Sequence, residues 1–134
     1  MGVAIGQAKA NITGTISGDV TNTANNVILA FGSVAAVPVS TETTIVSYTT
    51  AALKATWITQ VFCSGQENSK WRLFEGGTAK IVLRIGAGQV NTEFDFVTPF
   101  KVPSGVVALD IKAEHFITGE TPTFEATIMG YEEI

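Results

Sequence analysis

The chain has 134 residues, 46% of them hydrophobic and only 15% charged, with a formal net charge of −4. That length fits one domain with a real core, since a chain of this size hides roughly two-thirds of the surface it exposes when unfolded. A negative balance with no Lys/Arg cluster lacks the electrostatic footprint of a nucleic-acid binder. The low charged fraction, against about 25% in an ordinary soluble domain, implies that other chains cover part of the surface.

Met1 to Ala10 has neither the basic start nor the unbroken apolar stretch of a secretory signal, so the expectation is maturation in a cytoplasm without cleavage. Ala10 to Ile16 and Val20 to Val27 are rich in Thr, Asn, Gly and Ala and carry hardly any charge. They lead into an apolar run, Val27 to Val39, which Gly32, Ser33 and Pro38 interrupt and which falls short of the roughly 20 residues a membrane-spanning helix needs. Residues 1–40 therefore read as an N-terminal arm for assembly contacts, and residues 41–134 as a folded domain. The arm has too little bulk for a core of its own. It is expected to run away from the domain and bury Ile12, Ile16, Val27, Ile28, Leu29 and Phe31 against neighbouring subunits or a shell.

From Thr43 onward the chain reads as strand after strand, rich in Val, Ile, Thr and aromatics. The predicted strands are Thr43 to Thr49, Thr56 to Ser64, Lys70 to Glu75, Thr78 to Gly86, Gln89 to Val97, Val106 to Phe116 and Thr123 to Tyr131. Alternate residues of a strand face opposite sides. Val107, Leu109, Ile111 and Ala113 thus share one face, and Asp110, Lys112 and Glu114 the other. Phe124, Ala126 and Ile128 oppose Glu125 and Thr127 in the same way, and Phe94 and Phe96 oppose Glu93 and Asp95. Half-wet alternation of this kind belongs to antiparallel sheets. The predicted fold is all-β: an antiparallel, jelly-roll-like β-sandwich with an extended N-terminal arm, its core holding Phe94, Phe96, Leu109, Ile111, Phe124 and Ile128.

Gly76-Gly77 predicts a tight hairpin, and Gly86-Ala87-Gly88 a hairpin for the next pair. Pro99 and Pro103 should hold Phe100-Lys101-Val102 as a link or an edge segment, because proline cannot donate to a central ladder.

Little chemistry can be assembled from these residues. The one cysteine, Cys63, excludes an intrachain disulfide and sits in a strand pattern where a buried, inert thiol is expected. The one histidine, His115, lies on an inward parity and is expected to be packed and hydrogen-bonded. Glu93 with Asp95, and Asp110 with Glu114, are the carboxylate pairs a glycosidase would need, yet alternate acids are also what a solvated strand face carries. The same acids show no calcium-loop spacing. Gly86-Ala87-Gly88 lacks the third glycine and the lysine of a phosphate loop, and Asn11-Ile12-Thr13 matches the glycosylation pattern by accident in a chain without a signal. Trp57, Trp71, Tyr48, Phe62, Phe74 and Tyr131 could stack on sugar rings, but within strand patterns aromatics are mostly core. Lys70, Arg72, Lys80 and Arg84 share the polar parity of two strands and form a weakly basic face suited to an acidic neighbour. No catalytic residue, metal ligand or cofactor is assigned.

Several runs together carry a resemblance: Thr43-Thr44-Ile45-Val46-Ser47-Tyr48-Thr49, Cys63-Ser64-Gly65, Lys70-Trp71-Arg72-Leu73, Phe94-Asp95-Phe96, Pro99-Phe100-Lys101-Val102-Pro103-Ser104-Gly105 and Phe124-Glu125-Ala126-Thr127-Ile128-Met129-Gly130-Tyr131. Over roughly residues 40–131 the chain resembles a small β-sandwich module of tailed-bacteriophage virion proteins, with Ile12-Thr13-Gly14-Thr15-Ile16 similar to the Thr/Val/Gly-rich stretch that precedes it. Ala51-Ala52-Leu53-Lys54 departs from the proline-glycine turn of that pattern. The resemblance implies a non-enzymatic virion protein, a capsid decoration or cement protein or a short appendage, working as a homo-oligomer, as a trimer in that group. Its implied partners are other copies and capsid or other virion proteins, with neither nucleic acid nor membrane. A carbohydrate-binding adhesin module of a tail or neck fibre is the alternative.

Overall fold

The computed structural model describes residues 26–133. They form eight strands: β1 (Asn26–Val34), β2 (Thr43–Thr49), β3 (Thr56–Ser64), β4 (Ser69–Glu75), β5 (Thr78–Ile85), β6 (Asn91–Val102), β7 (Ala108–His115) and β8 (Phe124–Glu132). Two four-stranded sheets result, ordered β1-β8-β3-β6 and β2-β7-β4-β5, with every pairing antiparallel. The pairs β4–β5, β3–β6, β2–β7 and β1–β8 are nested like one long hairpin folded over on itself. Rolling that hairpin sends alternate pairs into opposite sheets, which is the jelly-roll arrangement of two packed layers. Its tip is Gly76-Gly77, with φ of 57° and 87°, a conformation glycine adopts without strain and the one a two-residue hairpin needs.

The core lies between the sheets. Trp71 and Phe124 pack with ring centroids 4.9 Å apart, surrounded by Ile58, Val61, Leu109, Ile111, Ile85 and Ile128, all buried. The Trp71 indole N–H donates to Ser69 Oγ at 2.9 Å, so the largest core side chain carries no unmet donor. Two glycines set how closely the backbones approach. A Cβ at Gly32 would strike the Ile45 carbonyl, and one at Gly130 the Trp57 carbonyl. Gly32 thereby lets β1 close down on β2, and Gly130 lets β8 lie against β3.

Three expectations are corrected. First, the arm does not extend to residue 40: Asn26–Val34 pairs residue for residue with β8, and Ile28 is buried in the sandwich's own interior. The connection beyond it is also docked, with Val37 buried and donating its N–H to the Pro122 carbonyl, and Ser40 N–H donating to the His115 carbonyl. β1 needs no core of its own because β8 supplies its hydrogen bonds and the sandwich its cover. Second, Gly86-Ala87-Gly88 makes no hairpin between paired strands, since β5 and β6 belong to different sheets and the loop crosses between them. Third, Phe94 stays 39% exposed although it lies opposite buried Val61, because β6 is an edge strand; Phe96, Leu109, Ile111, Phe124 and Ile128 do join the core. β6 does run through Pro99 as an edge strand. Phe96 to Pro99 bulge away opposite the single residue Thr59, a place where a proline removes no ladder bond.

Candidate assembly surface

The outer face of the second sheet is polar. Arg72 pairs with Glu42, Lys70 lies 3.7 Å from Glu114, and Ser47 donates to Asp110 at 2.5 Å. Phe74 lies under two cations, with Lys112 Nζ 4.7 Å and the Arg72 guanidinium carbon 5.5 Å from its ring centre. Lys70 and Arg84 are register partners on β4 and β5, so the basic face read from the sequence is assembled. Acids of the same chain hold two of its four cations, which leaves Lys80 and Arg84 at the β5 edge without an ion pair among the described residues.

The outer face of the first sheet is different. Its registered rows run Val27, Tyr131, Trp57, Lys101; then Leu29, Met129, Gln60, Asp95; then Phe31, Thr127, Phe62, Glu93. Each row begins apolar on β1 and ends charged on β6. Gln60 Nε2 donates to Glu93 at 2.7 Å and to Asp95 at 2.5 Å, so one amide holds both carboxylates at the acidic rim. At the other rim Val27, Leu29 and Phe31 are 85%, 69% and 63% exposed. Their neighbours Met129 and Tyr131, flanked by strands on both sides, are only half-exposed. Among the described residues β1 has a neighbour on one side alone, which leaves the stripe exposed.

Of the six side chains assigned to assembly contacts, Val27, Leu29 and Phe31 share this stripe, and Ile28 does not, since it has the opposite parity. Ile12 and Ile16 lie outside the described residues. The sequence reading missed that Trp57, Phe62, Met129 and Tyr131 extend the apolar area across two more strands. The signal was there: each occupies the parity opposite to the buried residues of its strand.

The remaining candidates are dispersed. The carboxylate pair Glu93–Asp95 lies on the outer face of the first sheet and Asp110 with Glu114 on the outer face of the second, so the sandwich separates the two pairs. Trp71 is core, whereas Trp57 stacks with Tyr131 on the outer face at 6.3 Å, and Lys101 Nζ sits 5.1 Å over the Trp57 ring, on a face a sugar would need. His115 is buried, with Nε2 2.8 Å from the Val37 carbonyl and its ring edge-on to Phe124. Cys63 is buried, and desolvation pushes its thiol up to about 12. A shallow cavity of about 290 Å³ near Ser69, Arg84, Ile85 and Phe116 brings one cation to an otherwise weakly polar lining. Among the described residues no helix is long and apolar enough to cross a membrane, and no cluster of His, Cys, Asp and Glu has the grouping of a metal site.

Comparison with family models, curated proteins and solved structures yields no match to this chain.

Proposed function

We propose that this chain is a non-enzymatic structural subunit of a virion, of the type that decorates or cements a bacteriophage head or forms a short appendage on the particle. The observation that carries the assembly role is the bare apolar stripe Val27, Leu29 and Phe31 on a sandwich whose other outer face is charged. An exposed apolar area continuous over three strands marks a contact surface rather than an ordinary monomer surface. The virion setting rests on the resemblance of residues 40–131 to phage β-sandwich modules. The work is mechanical: apolar burial, roughly 25 cal/mol per Å², is repeated over many symmetry-related contacts. Antibody against the purified chain, applied to intact virions of the encoding phage, should label them at regularly repeated positions in electron micrographs. A chain found only in the soluble fraction of the lysate, with clean particles, would refute the reading.

A further inference from the structure

The sandwich has four strand edges, and three are defended against pairing with another chain. β2 carries a bulge at Ile45. β5 presents Lys80 and Arg84. β6 carries the bulge at Phe96 to Pro99, with Glu93, Asp95 and Lys101 on its outer side. Charges, prolines and bulges are the usual means by which sheets keep their edges from joining. β1 has none of them. It is nine residues of NVILAFGSV in unbroken register with β8, without a charge or a proline, and among the described residues its backbone is hydrogen-bonded to β8 alone.

We propose that two copies of this chain join edge to edge through β1, antiparallel about a dyad at Leu29, to make one continuous eight-stranded sheet. Charge selects a second copy as the occupant. Self-pairing at β5 would bring Lys80 and Arg84 against their own kind, and self-pairing at β6 would do the same with Glu93 and Asp95, whereas at β1 nothing charged meets. The stripe is also self-complementary. With Leu29 opposite its symmetry mate, Val27 of each copy lies beside Phe31 of the other, and all six side chains remain on one face. Each gains the second flanking strand that already half-covers Met129 and Tyr131. β2, beneath β1, keeps its bulge, so the first sheet alone continues.

Area sets the strength. With the dyad at Leu29 the seven residues Asn26 to Gly32 of each copy pair, a stretch about 24 Å long and roughly 10 Å deep at its edge, so the contact hides about 240 Å² per partner. A stable free-standing dimer hides about 800 Å² per partner. The pair is therefore weak in dilute solution and fills at the local concentrations of an assembly. It is a property of the isolated chain and stands or falls apart from the kind of particle.

The test uses the full chain at millimolar concentration. Cys63 is buried, so a new surface thiol reports alone. On mild oxidation with diamide, Leu29→Cys should give a disulfide-linked dimer, and a mixture of Val27→Cys with Phe31→Cys should link the two variants to each other. Val82→Cys, also exposed but on the charged β5 edge, should remain monomeric. Leu29→Lys should abolish the concentration-dependent rise in mass seen by sedimentation while leaving the melting temperature unshifted. No link through Leu29→Cys, or equal linking through Val82→Cys, overturns the proposal. So does a trimer, which a dyad contact cannot close, or a link that forms only after residues 1–25 are removed, which would make the chain's own start the occupant of the edge.

Discussion

Burial decides the chemistry of single residues here. Cys63 faces inward between Val61 and the following turn, and with no anion-stabilising neighbour its thiol is pushed up to about 12 by desolvation alone. Only the thiolate is nucleophilic. A disulfide-exchange reagent should therefore label Cys63 at the global unfolding rate in buffer and at once in denaturant; fast labelling of the native chain would show an opening that the packing does not provide. The pH dependence follows with its sign. The folded value lies above the ordinary one of 9.0, so the thiol contributes full stability below pH 9. That stability is lost as pH climbs from about 9 toward 12, because unfolding then releases a proton. Alkaline urea titrations of the wild type should lose stability in this window, and Cys63→Ala, although weaker overall, should lose less.

At the scale of the element, β1 separates what the sequence displays from what it conceals. Seven strands were legible from their β-branched and aromatic composition, and in all but β3 the wet face also holds Asp, Glu, Lys, Arg or Thr against inward Val, Ile, Leu and Phe. In β1 both parities are apolar: Val27, Leu29 and Phe31 point out, and Ile28, Ala30 and Val34 point in. Alternation vanishes when the exposed face is apolar too, so the same exposed apolar row that makes up the stripe hid the strand. The partition of Gly86-Ala87-Gly88 was illegible for another reason, since a glycine turn looks alike whether the next strand pairs or crosses to the other sheet. The correction to β1 changes what a truncation does. Deleting residues 1–38 removes β1 and bares the β8 edge and the core beneath, so that product should aggregate, whereas a chain starting at residue 26 should keep its fold. Point variants test the same placement by urea unfolding: Ile28→Ala should cost about 2–5 kcal/mol as a buried truncation. Leu29→Ala should stay within about 0.5 kcal/mol. Equal costs for the two would mean that the strand does not pack as described.

For the whole molecule, nested pairing imposes an order of assembly. The β4–β5 hairpin closes over two residues, Gly76-Gly77, while β1 meets β8 across nearly the whole described chain, Asn26 against Glu132. Each outer pair must close a longer loop, and its entropy is lost before the contact rewards it. The inner pairs β4–β5 and β3–β6 should therefore be formed in the folding transition state and β1–β8 should dock after it. Non-local pairing of this extent also places folding in the millisecond-to-second range. Stopped-flow chevrons can separate the two ends of the roll. Gly77→Ala strains a φ of 87° at the hairpin tip and should slow folding with little change in unfolding. Ile28→Ala removes a contact made only when β1 docks, and it should speed unfolding while leaving the folding limb in place. If Ile28→Ala instead slows folding by as much as it destabilises, the outermost pair forms first, and the roll closes from its ends rather than from its tip.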